Sequence, residues 1–259
     1  MRKMQAEIAE DYDLTGRTAL ITGATSGIGS DIARRLAAAG AKTILHYHSN
    51  HKKAVELAGE LENAEIVKSD LSSEAAIENM IGSMVKGDNL PDYLVNNAGV
   101  QTIAGIADAD DQTWKDIHDV NMGGIYALTK HLTNALIAAK RPGVIVNIAS
   151  IEGLDPAEDH AHYAASKAAV LMYTRASALE LGKYHIRVNA VSPGLIARPH
   201  IQDQWPEGVA RWHDRAPLKR LGSGQDVANA VHFLLSPAAK WISGANIVVD
   251  GGMSAQNRW

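Results

Sequence analysis

Residues 18–29 read T-A-L-I-T-G-A-T-S-G-I-G, an aliphatic run that breaks at a turn carrying Gly23, Gly27 and Gly29; Ile28, Ile32 and Leu36 then recur every four residues. A short apolar run closed by glycine reads as a strand buried on both faces, and a four-residue apolar repeat reads as a helix with one apolar stripe. The stretch is therefore a strand, a turn and a helix. At such a turn the missing side chains let backbone N–H groups approach a pyrophosphate at the helix N-terminus, with Ser26 and Ile28 inside the same turn. The spacing departs from G-x-G-x-x-G, and a tight turn that needs glycine for its own backbone would read the same way.

Outward from this unit, further apolar runs lie at residues 43–47, 65–68, 93–95, 144–148, 187–191 and 247–249. None alternates polar and apolar residues, as expected of parallel strands covered on both faces. Between them are helical patterns, including a stripe of Val227, Val231 and Leu235. The alternation predicts an α/β fold: a single-domain, Rossmann-like, doubly wound parallel sheet over residues 1–259 with helices on both faces. Residues 1–13 read as an N-terminal extension, and 195–216, the least regular long stretch, as a substrate lid.

The 259 residues are 46% hydrophobic and 21% charged, which suits a globular core and excludes disorder and collagen. The net charge of −4 comes without a basic tract, so nucleic acid is not an expected partner. With no cysteine there is no disulfide, thiolate or sulfur-ligated metal to consider. No apolar run approaches membrane-helix length, and the opening MRKMQAEIAEDYDL mixes charges where a signal peptide needs an apolar stretch, so no membrane association and a cytoplasmic location are expected.

Ligands of such sheets bind beyond the carboxyl ends of the strands. The run VIVNIAS ends in Ser150, and thirteen residues later Tyr163 stands four before Lys167 in an Ala-rich helical segment, placing both side chains on one face. A phenol ordinarily near pH 10 exchanges protons poorly at neutrality. An ammonium about 5 Å away, at an effective dielectric near 20, attracts phenolate by about 3 kcal/mol, roughly two pKa units. The spacing itself is ordinary for an exposed pair. Likewise Asp70 can start a helix, Asn97 can satisfy a loop and Ser150 can cap a turn.

Taken together, these motifs identify the chain as resembling the classical short-chain dehydrogenase/reductases. TGATSGIG resembles the family's glycine turn, Asp70-Leu71 its adenine-contacting pair, Asn96-Asn97-Ala98-Gly99 its fourth-strand signature and Tyr163 with Lys167 its catalytic motif. Pro193-Gly194, with Ile196 beyond, resembles the nicotinamide-side turn, and VDGG the closing strand. The resemblance implies Tyr163 as general acid/base and Lys167 as its modulator and ribose ligand. It implies Ser150 as the group polarising the carbonyl, Asn121 as the anchor of a proton-relay water, and a homotetramer as the assembly. Hydride would pass between nicotinamide and a carbonyl or secondary alcohol while the Tyr163 proton and Ser150 hydroxyl meet the charge on oxygen. A catalytically silent NAD(P)-binding regulator is the alternative from another class.

After the second strand, NAD enzymes of this architecture place a carboxylate on the ribose hydroxyls. Here LHYHSNHKKA carries none from His46 to Asn50. Tyr47, His48, Ser49 and Asn50 offer hydrogen bonds and Lys52 and Lys53 add positive charge, so NADP(H) is preferred over NAD(H); Ser26 stands where many NADP-using relatives carry a basic residue.

The histidines invite a metal reading at His160 and His162 or at His46, His48 and His51, but they match no recognised ligand spacing, so no metal is expected. The His160/His162 pair reads as a solvated loop before Tyr163. The lid carries Trp205, Trp212, His200, Arg211, His213 and Arg215, and the loop before Tyr163 carries Glu152, Asp155, Glu158 and Asp159. These polar residues favour a small hydroxylated substrate of the sugar or polyol kind; a 3-oxoacyl ester or cyclic ketone is the alternative. Arg198 replaces the family's Thr after the Pro-Gly turn, which removes an expected contact to the carboxamide. The small residues Ala164, Ala165, Ala168, Ala169, Ala176 and Ala178 leave the Tyr163 helix able to pack against another helix or against its own sheet.

Overall fold

The computed structural model describes Met4 and residues 8–255. Strands β1 (Thr18–Ile21), β2 (Lys42–Tyr47), β3 (Ala64–Lys68), β4 (Tyr93–Asn96), β5 (Gly143–Ile148), β6 (Ile186–Pro193) and β7 (Asn246–Val249) form one parallel sheet in the order 3-2-1-4-5-6-7. Around it lie α1 (Gly27–Ala38), α2 (His51–Glu60), α3 (Glu74–Lys86), α4 (Asp111–His118), α5 (Ile125–Ala138), α6 (Ala161–Leu181), α7 (Ile201–Gln204), α8 (Pro206–Arg215) and α9 (Gly224–Leu235). This is the expected Rossmann-like doubly wound fold. The order reverses between β1 and β4, so the loops after these two strands open a crevice there.

Apolar residues on both sides of each strand require two cores. Ala19 and Ile21 of β1 face Ile32 and Leu36 of α1 and Val227, Val231 and Leu235 of α9. Leu20 between them faces the opposite layer, with Ile77 and Ile81 of α3 and Leu128 and Leu132 of α5. The stripes of α1 and α9 thus belong to one core, each fully buried Leu or Ile contributing about 1.5–3 kcal/mol.

Leu14 is fully buried, and the chain before it is docked: the Ala238 N–H donates to Asp11 O (3.0 Å), and His232 Nε2 lies 2.8 Å from Tyr12 O. Residues 1–3 and 5–7 of the expected extension and residues 256–259 of the expected domain lie outside the described residues. No described helix is long and apolar enough to cross a membrane.

Two expectations change. The supposedly irregular lid folds into α7 and α8, with Pro206 at the first position of α8, where its missing N–H costs nothing and its fixed φ suits the helix. The alanines of α6 are divided: Ala164 faces inward and Ala169 and Ala178 are half-buried. Ala165, Ala168 and Ala176 are exposed with Met172 (60%) and Leu179 (85%), an outward apolar stripe.

Candidate active site

The loop after β1 is held by the loop after β4. Thr22 Oγ1 accepts from the N–H groups of Asn97 and Ala98 (both 3.0 Å), and Asn97 Nδ2 donates to Thr22 O (2.8 Å) and Gly23 O (3.2 Å). Asn97 and Ala98 therefore build the turn. Gly23 has φ +61, the left-handed region glycine adopts without strain. A Cβ on Gly29 would lie 2.3 Å from Gly23 O and 2.7 Å from Asn97 Nδ2, so that position closes the turn. Ser26 caps α1, its Oγ accepting from Gly29 N–H (3.2 Å) and donating to Gly23 O (2.8 Å), while the Ile28 side chain joins the core.

Gly27 differs, since nothing lies within 4 Å of a Cβ built there. Its open approach lies at the first turn of α1, whose leading N–H groups have no helical acceptor. An open cradle beside unspent donors fits the diphosphate of a nicotinamide dinucleotide.

His46, one of the histidines that invite a metal reading, is a positioning residue. Gly23 N–H donates to its Nδ1 (3.2 Å), so Nε2 carries the proton toward Ser69 O (3.1 Å). From within β2 this buried imidazole joins the loops after β1 and β3, and burial holds its pKa down to about 4. Its signal was a lone polar side chain inside the apolar run TILHY. Among the described residues no cluster suited to a metal occurs.

The residues after β2 and β3 divide. His48 and Ser49 are exposed, whereas Asn50 Oδ1 accepts from Lys53 N–H (3.1 Å) as the cap of α2. Tyr47, expected as a free donor, is buried with its hydroxyl 2.7 Å from His51 Nδ1, because its side chain turns back onto the first residue of α2. Asp70 Oδ1 accepts from the Ser72 hydroxyl (2.7 Å) and N–H (2.9 Å), which hold its carboxyl below the usual range, while Leu71 is buried against Gly124.

The side chains expected to react converge beyond β5. Ser150 starts the short turn Ile151–Gly153, accepts from Glu152 N–H (3.1 Å) and hydrogen-bonds the Tyr163 phenol. Gly153 lets this turn touch α6, since a Cβ there would stand 2.8 Å from the carbonyl carbon of Lys167. Lys167, one turn after Tyr163, donates from Nζ to Ile148 O (2.9 Å) and lies 5.6 Å from the Tyr163 ring centre. Asn121 is fully buried in a π-helical turn, Asp119–Gly124; its side chain pairs with the Val100 N–H (2.8 Å) and carbonyl (2.9 Å) and donates to Ser166 Oγ (3.2 Å). A Cβ on Gly99 would lie 3.1 Å from Asn121 Oδ1 and 3.5 Å from Lys167 Nζ, so these three residues meet.

The electrostatics correct the expectation for Tyr163. Burial pushes its pKa up to about 12, the Glu152 charge acting in the same direction and the Ser150 hydroxyl against it. Lys167, enclosed by the same packing, is pushed down to about 8. The Coulomb attraction inferred from spacing neglected the cost of removing both groups from water.

The histidine pair also differs from a solvated loop. His162 is buried within α6, its Nε2 near Thr102 Oγ1 (3.0 Å) and Thr102 O (3.2 Å), which moors the segment after β4. His160 precedes α6 and pairs with Glu152.

On the far side, Gly194 N–H donates to Val249 O (2.9 Å), tying the Pro193-Gly194 turn to β7, and Ile196 bridges to Gly222. A Cβ on Gly194 would stand 2.7 Å from the Trp212 ring, so this tryptophan seats the lid on the turn. Arg211 lies over the Trp205 ring at 5.8 Å, and Arg198 is exposed.

The crevice thus offers donors and open space at one end and a phenol, a hydroxyl and an ammonium at the other. A nicotinamide cofactor would be held by the first turn of α1, the residues after β2 and β3, and Lys167, and supplies hydride when bound. The arrangement can hold a substrate oxygen against Ser150 and give or take its proton at Tyr163 Oη.

A family model described as enoyl-(acyl carrier protein) reductase matches residues 23–254. The chain is 33% identical to 3beta-hydroxysteroid dehydrogenase 1 of Eggerthella lenta over 93% of its length and 95% of that protein. It is also 33% identical to the 3-oxoacyl-[acyl-carrier-protein] reductase FabG of Staphylococcus epidermidis, over 92% and 98%. A crystal structure of a gluconate 5-dehydrogenase from Burkholderia cenocepacia, in complex with NADP and tartrate, superposes with a TM-score of 0.90 at 29% identity, covering 96% of this chain and 100% of that one.

Proposed function

Because the chain belongs to the classical short-chain dehydrogenase/reductase family and is an NAD(P)-dependent oxidoreductase of alcohol and carbonyl groups, we propose that it interconverts a small hydroxylated secondary alcohol, sugar-like or polyol-like, with its ketone, preferring NADP(H) to NAD(H). The observation that carries this reading is the meeting of Ser150, Tyr163 and Lys167 at the carboxyl end of β5, with Asn121 behind them. A silent binder has no use for a proton donor there.

The cofactor preference is supported by the absence of any carboxylate from His46 to Asn50, by exposed His48, Lys52 and Lys53, and by the NADP held by the gluconate 5-dehydrogenase. Without a repelling carboxylate a 2′-phosphate is tolerated, and nearby cations attract it. The kcat/KM with NADPH is expected to exceed that with NADH at least about tenfold, since 1.4 kcal/mol of differential attraction suffices. A preference for NADH overturns the assignment.

Reduction of a 3-oxoacyl or cyclic ketone is the second reading, favoured by Ile103 (77% exposed) and Ile106 (85% exposed) on the segment moored to His162. A panel of polyols, cyclic ketones and 3-oxoacyl thioesters, followed through reduced-cofactor absorbance, separates the two.

The outward stripe of α6 supports assembly into a homotetramer, with helices from different copies in contact. Light scattering is expected to give about four times the 27.7 kDa of one chain. A monomer mass at micromolar concentration refutes it.

A further inference from the structure

We propose that Glu152 and His160 form a hydroxyl-recognition pair, which selects substrates bearing a second hydroxyl on the carbon next to the reacting carbinol. The inference rests on the alcohol-ketone reading above and narrows its substrate class to neutral vicinal diols and their hydroxyketones.

Glu152 Oε2 lies 2.9 Å from His160 Nδ1, and the two side chains are only 18% and 16% exposed. Both flank the reacting groups. The Glu152 N–H donates to Ser150 Oγ (3.1 Å), and the His160 ring stands edge-on to the Tyr163 ring, with centroids 6.3 Å apart and planes at 71°. The pair and the phenol therefore share one wall of the crevice.

A carboxylate only accepts hydrogen bonds, so the proton shared by the pair sits on His160 Nδ1. Glu152 Oε1 has no hydrogen-bond partner among the described residues. The wall thus presents the Glu152 carboxylate as an acceptor, held in place by His160, beside the point where the substrate oxygen meets Ser150 and Tyr163. A hydroxyl on the adjacent carbon can donate to it, whereas a keto, ether or ester oxygen cannot.

The charge of Glu152 also opposes phenolate at Tyr163, so the carboxylate does not help the proton transfer. This largely buried acceptor can be supplied with a donor by a substrate hydroxyl. Its charge further disfavours an anionic group at the same position, which separates neutral diols from acids.

The test compares trans-cyclohexane-1,2-diol with cyclohexanol, which differ by one hydroxyl, using the full-length enzyme and either oxidised cofactor. A site that hydrogen-bonds a substrate hydroxyl rejects the analogue lacking it. Wild type is expected to favour the diol in kcat/KM by about 10- to 100-fold. In Glu152→Ala this ratio is expected to fall to about 1, mainly through KM for the diol, and Glu152→Gln, which keeps an acceptor oxygen, recovers part of it. His160→Phe provides an independent variant and is expected to lower the ratio several-fold. Cofactor dissociation constants from tryptophan-fluorescence titration report whether each variant retains its fold and nucleotide site. A ratio near 1 in wild type, or one unchanged by Glu152→Ala and His160→Phe, overturns the pair while leaving the oxidoreductase reading intact. Turnover of neither alcohol, nor of any compound in the wider panel, overturns both.

Discussion

Tyr163→Phe is expected to lower turnover by about 10²–10⁴-fold, the usual worth of a positioned acid or base, while cofactor affinity stays within about twofold. The substitution removes one oxygen and leaves the ring that packs beside His160 and below the Lys167 ammonium. With its pKa near 12 the phenol is protonated throughout the neutral range, so it is ready to donate to a carbonyl oxygen accepting hydride. In the oxidative direction it must first lose that proton, so oxidation is expected to accelerate as pH rises from neutrality. Initial rates in both directions, with cofactor binding from fluorescence titration, separate chemistry from binding. Activity within tenfold of wild type excludes Tyr163 as the proton donor.

Gly29→Ala is expected to weaken cofactor binding by at least about 100-fold, comparable to about 2.7 kcal/mol. Its new Cβ would stand 2.3 Å from a backbone oxygen, Gly23 O, and 2.7 Å from the Asn97 amide that holds the same turn. Neither neighbour can withdraw without opening the turn. Overpacking of this kind costs about 1–3 kcal/mol, which lowers the thermal midpoint by several degrees in a chain of this size. Gly27→Ala is the contrasting variant: nothing in the protein lies within 4 Å, so the midpoint is expected to hold while the nucleotide loses its approach. Wild-type affinity and midpoint in Gly29→Ala would show that the turn adapts freely.

What could be read beforehand was local along the chain. The glycine turn, the apolar strands and the Tyr163-Lys167 spacing each depend on residues a few positions apart, and all lie in elements of the expected type. What escaped depends on partners brought together by the sheet. His46 meets Ser69 because β2 and β3 pair in register, a contact 23 residues long in sequence. His162 is buried because Thr102 reaches it from the loop after β4. The direction of the Tyr163 pKa follows from the depth of its burial, which spacing does not encode. The lid helices differ: residues 201–215 are polar overall, yet Trp205, Val209, Trp212 and Ala216 recur at helical spacing and Pro206 marks a helix start, so the signal for the second of them is present in the sequence.

His46 gives the nucleotide end of the crevice an uncharged hinge pin. Because burial holds its pKa down to about 4, the tie it makes between the loops after β1 and β3 stays uncharged across the neutral range, in which Lys167, pushed down to about 8, changes charge at the opposite end. Acidification towards pH 4 is therefore expected to break the tie between the glycine turn and the end of β3, and alkalinisation to act instead on the lysine beside Tyr163.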